Sequence, residues 1–492
     1  MPNGKGVGSC DTPRTGDKAG ASCCSPARRR STAPTSAASM PVLHSMPDCP
    51  PESLKPPATG APSFSSFIAK QLGWEGYTDE QANTDDADIA QRRATVYNFL
   101  QVPWNLEPLL GFGYITCLDC FLQMVTFLPL RVLGAVIKLA CRRRLSRTQL
   151  CDMLRSLLIV CVSLFLQRLL PDMSHTYHSV RNQATLKLYV IFNLLEVFDK
   201  LCASFGQDIL EAFFDSASQP RRWRGELPFT FIIALIYVLL HTMVLFYHAV
   251  ALNIALNSHN NMLITLLISN NFVELKSNVF KKCEKQNLFQ VACSDVVERF
   301  QVSIYLSIVA LQSIFVQKDA LSNSELNELG ISFAMIVASE FTVDWIKHAF
   351  IIKFNRISPT VYGAFLRILC ADACRPAGDD NRPRSPTTRP TWGSPSEHSA
   401  PVASRMGFVP VPLLCLVLRV LGHDVLPRIY FGHPSGWMLC LLIWLLFCFL
   451  KVLTSITLLG YACAASGPEE APANDFLSGI ERYTLFGKGV MS

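Results

Sequence analysis

Long runs of apolar residues alternate with polar stretches along this chain, and the apolar runs have the length of membrane helices. A helix rises about 1.5 Å per residue, so about 20 apolar residues cross a hydrocarbon layer roughly 30 Å thick. The pattern therefore predicts an all-α fold, a polytopic transmembrane helical bundle with a disordered N-terminal tail. The six predicted spans are Leu150–Leu170, Pro228–Leu256, Phe300–Val316, Ile331–Ile352, Phe408–Leu421 and Gly436–Ala462.

The apolar segment Leu109–Ala140 is too long for one upright span and too short for two, and Pro129 and Arg131 lie in its middle. The basic cluster that follows it, from Cys141 to Arg147, is predicted to face the cytosol, because positive charges beside spans favour that side. If the N-terminal tail is also cytosolic, the chain enters and leaves on one side. We expect a re-entrant or interfacial segment here, with a tilted span and a luminal tail as the alternative.

The segment Leu186–Glu211 is amphipathic rather than continuously apolar. Its polar residues, among them Asn193, Glu196, Lys200 and Gln207, recur at three-, four- and seven-residue steps. A helix with this pattern lies along a membrane interface or packs on the bundle. If it does not span, alternation of the later loops places both termini in the cytosol.

Composition divides the chain into five regions. Residues 1–85, rich in Ser, Pro, Ala and Thr, are predicted to be a disordered tail, and 86–374 to hold the first membrane region, with re-entrant or interfacial helices and about four spans. Residues 375–404, dense in Pro, Arg and Ser, are predicted to be a disordered loop. A C-terminal pair of spans follows at 405–465, and a tail at 466–492.

The composition excludes several functional classes. Of 492 residues, 50% are hydrophobic and 17% charged, whereas soluble globular proteins carry about a quarter charged residues. The net charge of +6 is spread over separate loops, so we predict the lipid bilayer and no nucleic acid as a partner. The chain has no H-E-x-x-H, G-x-S-x-G or G-x-x-x-x-G-K-[ST] motif, and we predict no enzyme and no catalytic, cofactor or metal site.

One predicted span, Ile331–Ile352, carries Glu340, Asp344, Lys347 and His348. At spacings of three and four residues, all four are predicted to project from one side of a helix. Each formal charge costs about 2.5 to 3.5 kcal/mol on the insertion scale, so that side must face other helices or a wet cavity. A proton or ion path, a ligand pocket, and internal salt bridging that fixes the helix orientation all remain open.

His241 and His248 lie seven residues apart in Pro228–Leu256 and share one face of the predicted helix. At this spacing, histidines more often hydrogen-bond between helices than bind a metal. We therefore expect helix–helix hydrogen bonds here.

Two polar clusters bracket a short apolar run, Met262–Ile268. Because Asn and Ser side chains favour caps and turns, we predict a loop, a short helix at the membrane surface and then a basic helix. Such polar blocks without catalytic geometry favour a docking role. The candidate partner-docking residues, including two on the amphipathic segment, are Asn257, His259, Asn270, Asn271, Glu274, Glu196 and Asp208.

Several blocks resemble the transmembrane anterior posterior transformation protein family, a group of eukaryotic multi-span membrane proteins. The resemblance extends from about Val96 to Tyr461, with its blocks in order. They are Asn193-Leu-Leu-Glu-Val-Phe-Asp-Lys, Ser204-Phe-Gly-Gln-Asp-Ile-Leu, Leu256-Asn-Ser-His-Asn-Asn, Ser269-Asn-Asn-Phe-Val-Glu-Leu-Lys, Phe280-Lys-Lys, Ala338-Ser-Glu, Asp344 with Lys347-His-Ala-Phe, and Arg405-Met-Gly-Phe-Val-Pro.

The resemblance implies residence in the endoplasmic reticulum membrane and a non-catalytic part in handling newly made proteins. It also implies a SUN-domain membrane protein as a candidate partner and a link to cilium formation. It supplies no catalytic residues. We therefore expect a scaffold or quality-control component, and the alternative is a transporter or channel that uses Glu340, Asp344 and His348.

Overall fold

The computed structural model describes residues 64–73, 79–169, 176, 185–218, 225–256, 275, 279, 282–316, 323–374, 398–428 and 434–465. Contacts divide the chain into two units, Met1–Thr78 and Asp79–Ser492. In the first unit a helix, α1 (Phe64–Gln71), is described. This helix, like the start of the next one at Asp79, lies within the stretch predicted to be disordered.

The second unit is helical, and its described residues contain no strand, which confirms the all-α prediction. The order of elements follows the apolar runs. The helices are α2 (Asp79–Val125), α3 (Phe127–Ala140), α4 (Arg147–Leu169), α5 (Thr185–Ser218), α6 (Glu226–Leu256), α7 (Lys285–Val316), α8 (Asn323–Asn355), α9 (Val361–Cys374), α10 (Ser399–Met406), α11 (Pro410–Val420) and α12 (Pro434–Ala465), with a π turn and a 3₁₀ turn at Leu421–Val425 and Leu426–Arg428.

Helix α2 lies at the centre of this unit and contacts α3 and every helix from α7 to α12. Its residues Leu106, Leu109 and Leu110 are fully buried in the core. At Gly113 the neighbours approach so closely that an added Cβ would lie 2.8 Å from a methyl group of Val296. A residue without a side chain at this position therefore allows α7 to pack directly against α2.

The segment Leu109–Ala140 does not turn back on itself. It forms the second half of α2 and all of α3, and Ile89–Ala140 is one candidate span of 52 residues by length and composition. This course excludes a re-entrant turn, and its length and composition suit the alternative, a tilted span. The chain breaks only at Thr126, because Pro129 in the first turn of α3 lacks the N–H that a continuous helix would need.

Among the described residues, five helices are long and apolar enough to cross a membrane: Ile89–Ala140, Arg147–Leu169, Glu226–Leu256, Asn327–Asn355 and Pro434–Ala465. The last four coincide with predicted spans. The predicted span Phe300–Val316 is instead the second half of α7, which is not among the five. The count rises to six if a bent pair, described next, is one span.

The predicted span Phe408–Leu421 is part of a broken element, because the helices Ser399–Met406 and Pro410–His423 meet at 98°. Gly407 ends α10 in the left-handed region at φ 87°, which costs glycine little. The amides of Gly407 and Phe408 bond back to the carbonyls of Ser404 and Ala403, the Schellman pattern. Pro410 then starts α11 with its φ already helical.

Helix α5 packs along α6 and turns an apolar face outward. Val190, Leu194, Val197, Leu201 and Phe205 are all exposed and recur at helical spacing. A continuous exposed apolar stripe of this kind marks a surface that meets lipid or another protein. Of the two predicted placements, the contacts with α6 agree with packing on the bundle, and placement along a membrane interface stays a prediction.

Candidate functional site

Charged side chains from three helices meet in the interior of the second unit. We call this group the ionic cluster. Its members come from α2, α7 and α8, and Tyr362 of α9 completes it. They are Glu107, Asp295, Arg299, Asp344, Lys347 and His348.

Lys347 is the central cation of the ionic cluster. Its Nζ atom lies 2.7 Å from Oδ1 of Asp295 and 3.1 Å from Oδ1 of Asp344, and its side chain is 1% exposed. An ammonium group so thoroughly removed from water is tolerated only beside compensating carboxylates. The pairing therefore joins α7 to α8.

Arg299 extends the cluster to α2. Its Nε atom donates to Asp344 at 2.8 Å and its Nη atoms donate to both carboxylate oxygens of Glu107 at 3.1 to 3.2 Å. Trp345 also donates to Glu107, at 2.6 Å. The guanidinium lies 4.0 Å from the ring centre of Phe341, a favourable cation–π distance. One arginine thus connects three helices.

His348 is fully buried, with Nε2 2.8 Å from Asp295 and Nδ1 2.7 Å from the hydroxyl of Tyr362. A neutral ring with its proton on Nε2 satisfies both contacts, and so does a protonated ring. The ring of His348 therefore connects α8 both to α7, through Asp295, and to α9, through Tyr362.

The structure brings together Asp344, Lys347 and His348 from the predicted stripe. Glu340, one turn earlier on α8, does not join the ionic cluster and lines a cavity instead. The functional role of the four-residue stripe stays a prediction. Asp295 and Arg299 were missed, and their four-residue spacing on α7 was the one signal in the sequence.

A second buried ion pair connects α2 to α12. Lys451 donates to Asp119 at 2.6 Å, and both side chains are almost fully buried. Ser455 and Thr454 donate to the other carboxylate oxygen at 2.7 and 3.0 Å. The only cation in the apolar run of α12 is thereby neutralised.

His241 confirms the prediction of helix–helix hydrogen bonding. Its Nε2 atom lies 2.7 Å from Asp199 of α5, and its Nδ1 atom lies 2.9 Å from the hydroxyl of Tyr237. Burial opposes ionisation of Asp199 and by itself would raise its pKa. This effect is outweighed by the hydrogen bond and charge of His241, by the charge of His248 and by a hydrogen bond from Gln301. The pKa of Asp199 therefore lies below its usual value. The Asp199 carboxylate therefore stays ionised at neutral pH.

A cavity of about 260 Å³ lies beside Asp199, with walls from α5, α6, α7, α8 and the end of α10. The side chains of His248 and Tyr305 line it, stacked with ring centres 5.3 Å apart. Neither Nδ1 of His248 nor the hydroxyl of Tyr305 has a hydrogen-bond partner within the described structure. For His248, the predicted helix–helix bond is therefore wrong at this ring nitrogen.

The remaining candidate docking residues fall into two groups. Glu196 lines the cavity and pairs with Lys200 at 2.9 Å, whereas Asp208 is exposed on α5. The five others lie outside the residues that the structure describes: Asn257, His259, Asn270, Asn271 and Glu274. Within the described part of the chain, no group of three His, Cys, Asp or Glu side chains could hold a metal ion.

Comparison with known proteins gives the family. The "Transmembrane anterior posterior transformation protein 1 homolog" of Homo sapiens is 39% identical over 423 residues, which are 82% of this chain and 68% of the relative. The chain belongs to the transmembrane anterior posterior transformation protein family. This confirms the family suggested by the ordered sequence blocks.

Other comparisons agree with this membership. The profile of a family described as "Eukaryotic membrane protein family" matches residues 145–466. The homologue from Danio rerio is 39% identical over 82% of this chain and 68% of its own length. The "Protein TAPT1 homolog" of Dictyostelium discoideum is 39% identical over 82% of this chain, which spans about half (49%) of that relative. No solved structure matches the chain.

Family membership and the long apolar helices together establish a multi-span membrane protein. None of the relatives' names given above describes a catalytic activity.

Proposed function

We propose that this protein is a non-catalytic scaffold or quality-control component for newly made proteins in the endoplasmic reticulum membrane, with a link to cilium formation. We further propose a SUN-domain membrane protein as its partner and a cytosolic location for both termini. The proposal is supported chiefly by the ionic cluster. Its buried charges are satisfied by side chains of neighbouring helices, which suits a rigid frame whose outer surfaces bind other proteins.

The structural argument concerns what the charges contact. Lys347 and Arg299 each contact two carboxylates, so an ion passing along α8 would have to displace contacts that join α2, α7 and α8. Breaking a buried pair costs about 3–5 kcal/mol. This cost favours a fixed bundle over a conducting one.

The docking surface is tested by affinity purification of the full chain in a gentle detergent, followed by identification of co-purified proteins. Replacing Asn270, Asn271 and Glu274 by Ala should release a partner, and Asp208→Asn tests the exposed polar position of α5. Glu328→Gln on the exposed first part of α8 is the matched control. Unchanged co-purification in both test variants would count against this docking surface. Staining with an endoplasmic reticulum marker tests the location.

The second candidate function is transport through the α8 stripe. It is favoured by the complete burial of Lys347 and His348 in a candidate span, because ionisable residues inside spans often mark ion or proton paths. Asp344→Asn should then abolish flux in reconstituted vesicles. Because this change also weakens the bundle, Glu340→Gln, which leaves the ionic cluster intact, is needed as a second variant. A scaffold gives no flux with any variant.

A further inference from the structure

The cavity beside Asp199 is large enough for more than a single water molecule. A water needs roughly 10 to 15 Å³ by a comparable measure, and an engineered cavity of about 150 Å³ holds benzene. The volume of about 260 Å³ therefore accommodates an organic molecule somewhat larger than benzene. The scaffold function proposed above assigns no ligand to this space.

The cavity contains polar groups whose hydrogen bonds are left unmade. Tyr305 is 2% exposed, and its hydroxyl has no partner within the described structure. Nδ1 of His248 also has no hydrogen-bond partner within the described structure. The His248 ring stacks on the Tyr305 ring from the neighbouring helix. A buried polar group without a partner costs about 1–3 kcal/mol. Two such groups on one wall indicate a site that a ligand completes.

The charges of the lining favour a cation. Four carboxylates, those of Glu196, Asp199, Glu298 and Glu340, line the cavity together with two basic side chains, Lys200 and Arg405. Lys200 pairs with Glu196 at 2.9 Å, and Arg405 pairs with Asp372, which is not part of the lining. By formal charge the lining holds four anions and two cations, so it is negative overall. A low-dielectric wall of one sign attracts the opposite charge.

The apolar part of the lining indicates which kind of group is attached to the charged centre of the ligand. Phe192, Phe289 and the ring of Tyr305 present aromatic surface to the cavity, and Cys293, Val297 and Met406 add aliphatic and sulfur surface. Aromatic faces bind cations through their quadrupole and also bury apolar groups. A mostly apolar pocket with a few fixed polar groups is the usual form of a small-molecule site.

We propose that this cavity binds a small organic amine, a cation with an aromatic or short apolar body. The carboxylates of the wall stabilise the ammonium group, and the Tyr305 hydroxyl and His248 supply hydrogen bonds inside the cavity. The amine could be a free metabolite or the head group of a membrane lipid, which share this chemistry. The proposal does not depend on the scaffold function.

The test compares three molecules of one shape and different charge: 2-phenylethylamine, 2-phenylethanol and phenylacetate. Binding to the purified full chain is measured by isothermal titration calorimetry and by the shift of the thermal unfolding midpoint. We expect the amine to bind at least tenfold more tightly than the alcohol and the anion not to bind. Equal binding of the amine and the anion overturns the proposal. Absence of binding for all three molecules also overturns it and indicates a cavity filled by water.

Variants separate the site from unspecific membrane partitioning. Glu340→Gln removes one wall charge and should lower the affinity for the amine about tenfold. Tyr305→Phe removes only the unpaired hydroxyl and should lower the affinity for the amine severalfold. The matched control is Glu328→Gln, on the same helix but outside the cavity. A Glu340→Gln variant that folds and binds the amine with unchanged affinity refutes the assignment.

The source of the amine is distinguished in lipid nanodiscs. If a lipid head group occupies the site, phosphatidylethanolamine competes with the added amine, and the affinity for 2-phenylethylamine should be at least tenfold lower in phosphatidylethanolamine discs than in phosphatidylglycerol discs. Anionic discs also concentrate a cation at their surface. The Glu340→Gln variant, measured in both kinds of disc, gives the correction for this surface effect. A free amine gives equal corrected affinities. Amine binding that is abolished equally in both kinds of disc contradicts the proposal.

Discussion

Removing the charge of Asp119 should destabilise the protein more than any surface change, because Lys451 would then be buried without a counter-ion. The two side chains are 4% and 6% exposed, with 2.6 Å between Nζ and Oδ2. Removing one partner of a buried pair costs about 3–5 kcal/mol, whereas replacing both by well-packed uncharged residues of similar volume removes that cost, and apolar replacements are often neutral or stabilising by about 1–4 kcal/mol. The Asp119→Asn variant should therefore be strongly destabilised, and adding Lys451→Met should restore it.

The assay is a double-mutant cycle on the purified protein, with the free energy of unfolding measured by titration with sodium dodecyl sulfate in mixed micelles. The single variants Asp119→Asn and Lys451→Met should each lose several kcal/mol, and the double variant should lose little. The coupling energy should thus exceed about 2 kcal/mol, in contrast to about 0–1 kcal/mol for a surface pair. Lys138→Met, at an exposed position of α3, is the control for loss of a lysine.

Additive losses in the two single variants would refute this reasoning. They would mean that the carboxylate and the ammonium do not meet, and so that α2 and α12 do not pack in this register. A double variant that is less stable than both single variants would refute the desolvation argument itself.

Three further predictions test the packing and the chemistry of single side chains. Gly206→Ala would place a methyl group 1.8 Å from the Tyr237 hydroxyl, so α5 and α6 must shift, and the free energy of unfolding should fall by about 1–3 kcal/mol. Cys374 and Cys463, with 3.4 Å between sulfur atoms, should form a disulfide under mild copper-phenanthroline oxidation, detected by peptide mass. Burial raises the pKa of Cys283 to about 11, so its alkylation by iodoacetamide should be slow at pH 8 and rise about tenfold per pH unit up to about pH 10.

Each of these predictions has a control in the same chain. Gly134→Ala on α3 meets no neighbour within 4 Å and should leave stability unchanged or slightly raised. Cys463→Ser should abolish the cross-link between α9 and α12, and an intact protein that cannot be cross-linked would contradict their packing. Cys141 is exposed and provides the comparison for alkylation, where equal rates at pH 8 would exclude a raised pKa at Cys283.

Periodicity predicted the direction of the charged stripe on α8 but not which of its members join the ionic cluster. Asp344, Lys347 and His348 lie at the level of Asp295 and Arg299 on α7. Glu340 points to a similar side but lies about 6 Å further along the axis, since a residue rises about 1.5 Å. The height at which two helices cross is a tertiary property that a single sequence does not encode locally.

Long-range pairing was the part that the sequence could not supply. The apolar run of α12 and its lone Lys451 are evident, but the partner Asp119 lies 332 residues earlier. The amphipathic pattern of α5 was also evident, yet a polar stripe can face either water or the interior of a bundle. Asp199 faces the interior and binds His241, which leaves the apolar stripe on the outside.

The unusual length of the element formed by α2 and α3 has a geometric consequence. Its 52 residues measure roughly 78 Å, against about 30 Å of hydrocarbon. Even at a steep tilt of about 40°, it spans roughly 60 Å along the membrane normal, so a rod of about 30 Å must project beyond the acyl chains. The protruding part of this central element therefore presents helical surface outside the hydrocarbon layer, where a soluble domain of another protein can reach it.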